Sequence, residues 1–207
     1  IVCAIVTMTV TGENPIQVYA TMLDSSFGSE RKVWIFAQST AMLLGVSLAV
    51  TPAFKMKFWN IGGEGQILAG CLAAAACMIC LADTVSNGLL IAISAVASIA
   101  AGAIWGGIPA FFKAKWNTNE TLFTLMMNYI AIQLTSFAVS KWENPPGSNS
   151  IGTINSKGDV KYVGWIGNMF SEGYNKDFMW TVIIVLVLAT LVYLYLRYTK
   201  HGYEIAV

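Results

Sequence analysis

Asn60-Ile61-Gly62-Gly63-Glu64-Gly65-Gln66 separates two long apolar runs of this 207-residue chain and decides how the chain is divided. The three glycines of this stretch allow a sharp turn and a close approach by another segment. Its two amide side chains and its carboxylate supply hydrogen-bonding groups in surroundings that are otherwise apolar. We therefore predict a helical segment that is interrupted here by a polar, glycine-rich turn.

The overall composition is that of a membrane protein. Hydrophobic residues make up 56% of the chain, charged residues 11%, and the net charge is +1. Soluble domains carry about 25% charged residues and rarely expose large apolar patches. The four cysteines include a C-x-x-C pair without a second ligand pair, so neither a metal site nor a cofactor is predicted. The absence of a basic excess argues against a nucleic-acid partner. The composition favours an all-α, polytopic transmembrane helical bundle.

The apolar runs define the predicted transmembrane spans. A run of about 20 residues is long enough to cross a bilayer. The predicted spans are 1–11 (a partial span), 33–54, 65–82, 89–112, 121–140 and 178–198. We predict that residues 1–207 form a single transmembrane domain that is incomplete at both ends.

The distribution of lysine and arginine predicts the orientation of the spans. Lys55, Lys113 and Arg197 lie in short segments directly at span ends, where positive charge has the greatest effect on topology. We therefore place these residues in the cytoplasm and the polar loop 141–176 outside the cell. This arrangement corresponds to a multi-pass protein of the cell membrane.

The depth of the glycine-rich turn has two interpretations. The apolar run after it is short, so the turn can lie within the membrane, where irregular backbone must line a polar cavity or pack against protein. Glu64 would then face water or a partner, because a charge at the bilayer centre is costly. Alternatively, the turn is an ordinary cytoplasmic loop with Lys55 and Lys57 at the membrane edge.

The fifth span carries a polar stripe. Asn117 and Glu120, three residues apart, predict a helix start that resembles a capping box. The stripe follows at spacings of 3, 4 and 7, which place its members on one face of the helix: Thr121, Thr124, Asn128 and Thr135. Such residues either line a solute pathway or form hydrogen bonds between helices, and the sequence leaves both roles open.

Two sequence blocks resemble one family of transport proteins. Residues 58–66 resemble the FNIGGEGQ block of ABC-importer permeases of the nucleoside and simple-sugar branch, within the larger ribose and branched-chain amino-acid permease family. Residues 118–131 resemble that family's TNE-x-x-x-TLMLNYIA block. Residues 12–15 and 200–204 are similar to further blocks of the family, in the expected order.

The resemblance implies a substrate route near the turn and the fifth span. The predicted pathway residues are Asn60, Glu64, Gln66, Thr121, Thr124 and Asn128, with a backbone break at Gly62, Gly63 and Gly65.

The resemblance also implies a function. The chain would be the permease subunit of a bacterial ABC importer and would provide an alternating-access pathway for nucleosides or simple sugars. It would not itself be an enzyme. Its expected partners are an ATP-binding cassette subunit that hydrolyses ATP, a second permease subunit and an extracytoplasmic substrate-binding protein. The alternative is an ion-coupled secondary transporter with a broken-helix substrate site, for which Glu64 would be the titratable group.

Overall fold

A computed structural model describes residues 14–156, 163–166 and 179–206, together with residues 8, 10 and 12. The described residues contain helices, turns and loops, and no strand. The helices are α1 (Pro15–Phe27), α2 (Glu30–Lys55), α3 (Gly63–Leu81), α4 (Asn87–Trp116), α5 (Glu120–Trp142), α6 (Met179–Tyr198) and α7 (Lys200–Ala206). The all-α fold predicted from the composition is confirmed.

Five of the described helices, α2 to α6, are long and apolar enough to cross a membrane. They lie where the sequence places its second to sixth spans. The first predicted span, 1–11, falls almost entirely outside the described residues, as do parts of the predicted loop 141–176. The chain is a multi-pass membrane protein with a polytopic helical bundle.

The start of α5 differs from the sequence prediction. Asn119, and not Asn117, is the cap, because its side-chain Oδ1 accepts a hydrogen bond of 3.2 Å from the backbone N–H of Leu122. Asn117 instead ends α4 in the left-handed conformation, with φ of 51°. Asparagine adopts this conformation more readily than most residues, so it can end one helix as well as begin another. Glu120 forms an ion pair of 2.9 Å with Lys113.

The chain divides into two compact units. The first comprises residues 1–48 and 167–202, and the second comprises residues 49–166 and 203–207. In the first unit, Ala41 and Val185 are buried, and the rings of Phe27 and Phe36 pack with their centroids 5.0 Å apart. Many large apolar side chains on the outside of the helices are exposed, as expected for surfaces that face lipid.

The second unit holds the interrupted segment. Helix α3 packs against α4 and α5, and α4 also contacts α5. Leu90 is fully buried, and Met127, Ala131 and Ala138 of α5 are almost completely buried. Helix α3 is rich in alanine and glycine, which lets its neighbours approach closely, as small residues do between transmembrane helices.

Candidate functional site

The polar turn begins where α2 ends. Lys57 has a positive φ of 57°, and its N–H donates a hydrogen bond to the carbonyl of Phe54. The N–H of Phe58 donates to the carbonyl of Ala53 at 3.0 Å. These two bonds form a Schellman motif, which ends a helix and satisfies carbonyl groups of its last turn. The motif fixes the point at which the first half of the interrupted segment stops.

A hydrogen bond from the backbone to the side chain of Asn60 stabilises the turn. The Oδ1 atom of Asn60 accepts a hydrogen bond of 2.9 Å from the N–H of Gly62. Asparagine commonly stabilises turns by bonding to the backbone two residues further on. Gly62 then serves as the cap residue of α3 and has no side chain to bind the free N–H groups of the first helical turn.

Helix α5 supplies the missing cap. Asn128 Oδ1 accepts a hydrogen bond of 2.8 Å from the N–H of Gly65, and its Nδ2 donates to the carbonyl of Ile61 at 3.0 Å. Thr124 Oγ1 accepts a hydrogen bond from the N–H of Ile61 at 3.3 Å. These side chains are 6% and 1% exposed. Thr124 and Asn128, one helical turn apart on α5, therefore bond to the backbone before and after the paired glycines of the turn. These contacts join residues that are 63 to 67 positions apart in the chain.

Gly65 is required by this close approach. A Cβ atom at this position would lie 2.8 Å from Asn128 Oδ1 and 3.0 Å from Trp105 Nε1, so the neighbours would have to move. At Gly63, by contrast, the nearest such neighbour is a side-chain atom of Val50 at 3.8 Å, which is an ordinary contact. Gly62 is restricted as well, since a Cβ there would lie 3.0 Å from Thr124 Cβ. The glycines of the turn are therefore not equivalent, because the contact with α5 restricts Gly62 and Gly65 and leaves room at Gly63.

The structure brings together five of the nine predicted site residues, Asn60, Gly62, Gly65, Thr124 and Asn128, in one hydrogen-bonded junction. We call this set the turn–α5 junction. The carbonyl of Thr121 accepts a hydrogen bond from Thr124 Oγ1, while its own side chain is half-buried. Glu64 is exposed, and Gln66 packs its side chain against Gly106 of α4.

Sequence reasoning missed Trp105 of α4. Its indole Nε1 atom is buried, has no hydrogen-bond partner among the described residues and lies beside Gly65 at the junction. A buried, unpartnered donor is unusual in a folded protein. The position lies near the middle of a continuous apolar run, so no local pattern distinguishes it from the other large residues of that run.

An apolar cavity continues from the junction between the same helices. It has a volume of about 530 Å³ and is bounded by small side chains of α3, α4 and α5, with Trp105 and Trp142 at its aromatic walls. Thr135 also lines it, but its hydroxyl donates to the carbonyl of Ala131 in its own helix at 2.8 Å. The polar groups next to this cavity are thus those of the turn–α5 junction, and the cavity itself is apolar.

Comparison with known families identifies the family of this chain. The family described as the permease component of the branched-chain amino acid transport system matches residues 33–207, which include the turn, α5 and the whole second unit up to the last residue. The chain belongs to this family. The permease family assignment agrees with the resemblance of residues 58–66 and 118–131 to sequence blocks of its nucleoside and sugar branch.

Three relatives of the permease chain are transport proteins. It is 32% identical over 136 residues to the guanosine ABC transporter permease protein NupP of Bacillus subtilis, covering 64% of this chain and 38% of that protein. It is 31% identical over 124 residues to the glucose ABC transporter permease protein TsgB13 of Haloferax volcanii, covering 60% of this chain and 32% of that protein. It is 30% identical over 128 residues to the nucleoside ABC transporter permease protein NupB of Lactococcus lactis, covering 62% and 35%.

The aligned part of the permease chain spans roughly a third of the length of these relatives. No solved structure matches it.

Proposed function

We propose that the chain is part of the membrane-spanning permease subunit of an ABC importer for nucleosides or simple sugars. The observation that carries the proposal is the match of residues 33–207 to a permease family, together with the alignment to permeases named for guanosine, nucleoside and glucose transport. Neutral, hydroxyl-rich solutes also suit the amide and hydroxyl side chains near the turn, since these groups donate and accept hydrogen bonds without charge.

The proposal includes partners. ATP is hydrolysed on a separate ATP-binding cassette subunit, a second permease subunit completes the pathway, and an extracytoplasmic binding protein delivers the solute. This chain provides the alternating-access route and neither makes nor breaks a bond in the solute. We place it in a bacterial cell membrane, with Lys113 on the cytoplasmic side and loop 141–176 outside.

The site residues divide into two roles under this proposal. Thr124 and Asn128 are positioning residues, because they are buried and their polar atoms are engaged with the turn. The side chains of Glu64, Gln66 and Thr121 have no hydrogen-bond partner among the described residues, so they are the groups available to a solute. The turn–α5 junction therefore holds the backbone in place, and its neighbours on the turn and on α5 contact the passing solute.

Transport by the full-length permease tests the proposal. The permease, its ATP-binding subunit and its binding protein are reconstituted in proteoliposomes, and uptake of guanosine and of glucose is measured with and without ATP. Uptake of at least one of these solutes should require ATP and should disappear when the ATP-binding subunit cannot hydrolyse ATP. Neither solute entering under any energised condition would contradict the proposed substrate class.

Glu64→Gln separates ATP-driven transport from ion coupling. The substitution removes the only ionisable side chain of the turn residues 60–66 and leaves a similar shape. In an ABC importer, the variant's uptake should still require ATP and should be insensitive to an uncoupler. Uptake that collapses with the uncoupler at constant ATP would favour a secondary transporter instead.

A further inference from the structure

A second pocket lies at the opposite end of α3 and α5 from the glycine-rich turn. Its volume is about 260 Å³, and it is enclosed by the end of α5 and the loop that follows. Trp142 and Ile79 provide an aromatic and an aliphatic wall. The remaining lining includes four uncharged polar side chains, those of Asn144, Thr153, Asn155 and Ser156.

Hydrogen bonds hold the loop around this pocket to the helices. Asn155 Nδ2 donates to the carbonyl of Met78 near the end of α3 and to the carbonyl of Val163, both at 2.9 Å. The indole of Trp165 donates to the carbonyl of Ile154 at 2.8 Å. One bond thus ties the loop to α3 and the other two cross-link the loop, and a preformed pocket loses less conformational entropy when a ligand binds.

The polar groups of the pocket are available to a ligand. The side chains of Asn144, Thr153 and Ser156 have no hydrogen-bond partner among the described residues. Asn155 uses its amide nitrogen for the two carbonyls, which leaves Oδ1 as an acceptor without a donor in the described part of the chain. The pocket therefore offers amide and hydroxyl groups of both kinds, donors and acceptors.

We infer that this pocket binds a single sugar ring, either a free pentose or hexose or the ribose of a nucleoside. The aromatic side chain of Trp142 suits the apolar C–H groups of the ring, while the four polar side chains suit its hydroxyl groups. Among the residues that the structure describes, no charged side chain lines the pocket, which favours an uncharged solute. Its volume is slightly below the roughly 300 Å³ at which sites for drug-sized ligands begin, as expected for a smaller ligand. The choice of a sugar as the solute rests on the proposed function.

Equilibrium binding to the full-length permease tests this site without transport. The protein is purified in lipid nanodiscs without ATP or the binding protein, and saturation-transfer NMR measures the dissociation constants of D-ribose, D-glucose and guanosine. Sodium acetate serves as a charged, ring-free control. Signals from ribose and guanosine but not glucose would assign the site to nucleosides, and signals from all three would assign it to sugar rings in general.

Two sets of variants locate the binding. Trp142→Leu should weaken binding about tenfold or more, as expected when a stacking aromatic side chain is lost. Trp116→Leu is the matched control. Trp116 is 54% exposed and ends α4, whereas the loop beside the pocket is bonded to the first residue of α4, since the N–H of Gly164 donates to Asn87 Oδ1. Trp116 therefore lies at the far end of this helix from the loop. Asn144→Leu should weaken binding about two- to tenfold through the loss of one hydrogen bond.

Asn144 is exposed, so Asn144→Leu tests the site even where Trp142→Leu does not fold. An unchanged dissociation constant in a folded Trp142→Leu or Asn144→Leu permease would overturn the inference. So would the absence of any sugar signal in the wild-type protein. Either result, obtained with ATP-dependent uptake intact, refutes the pocket and leaves the proposed function standing.

Discussion

Replacing Asn128 by leucine should destabilise the permease by breaking the connection between α5 and the start of α3. Leucine has a similar volume but neither donates nor accepts hydrogen bonds, so the N–H of Gly65 and the carbonyl of Ile61 each lose a partner at 2.8 and 3.0 Å. The two losses differ in cost because Gly65 is buried, whereas Ile61 is 47% exposed.

The magnitude follows from this difference. A buried donor left without a partner costs about 1–3 kcal/mol, and a group that can recruit water costs only the net value of its bond, about 0.5–1.5 kcal/mol. The sum is about 1.5–4.5 kcal/mol. Hydrogen bonds between transmembrane helices average nearer to 0.6 kcal/mol each, or about 1.2 kcal/mol for two bonds, so we expect a loss close to the lower limit of this range.

The assay pairs stability with transport. Thermal unfolding of the purified complex and ATP-dependent uptake per folded molecule are measured for Asn128→Leu and for Gln133→Leu. Gln133 is exposed on the same helix, so Gln133→Leu measures the effect of replacing an amide by leucine on α5 without breaking the contact with the turn. Normal stability together with abolished uptake in Asn128→Leu would refute the positioning role and would make Asn128 a direct contact of the solute.

Three further predictions test the geometry. Gly65→Ala should destabilise the complex by about 1–3 kcal/mol through overpacking against α5, whereas Gly63→Ala should be close to neutral, and equal unfolding temperatures for the two variants would contradict the assignment of the tight contact. Asn119→Ala should cost about 0.5–2 kcal/mol by removing the cap of α5, as measured by denaturation, and a value near zero would show that the cap is not used. Single cysteines at Lys115 and Ser150, in a background lacking the four native cysteines, should react with an impermeant maleimide from opposite faces of the membrane. Reaction of both from the outside would reverse or abolish the proposed topology.

The sequence predicted the helices well because their signal is local. Long apolar runs mark α2 to α6, and the glycine-rich stretch between α2 and α3 marks the interruption. The prolines at 52 and 109 do not end their helices, which continue to Lys55 and Trp116. Helix packing and additional contacts can accommodate proline inside transmembrane helices.

The site was harder to predict because its contacts are distant in the chain. The stripe of Thr121, Thr124 and Asn128 is visible in the sequence, but its partner is not, since the bonds from α5 reach residues about 63 positions away. The sequence therefore left a pathway role and an interhelical role equally open for Asn128. The cap of α5 was also misassigned, to Asn117 instead of Asn119. Both residues are asparagine, which suits a helix cap, and both lie just before α5, so only the backbone conformation distinguishes them.

The capping of α3 by a side chain of α5 has a mechanical consequence. The two helices are fastened to each other near Gly65 and Asn128, whereas further along they flank the apolar cavity that begins near Ala69 and extends to Trp142. We therefore expect α3 and α5 to contribute to a change in cavity volume by diverging beyond this fixed point, more at their C-terminal ends than beside it. A bond at one end of two helices favours spreading about that point over parallel separation, and the Asn128 amide would then mark the pivot.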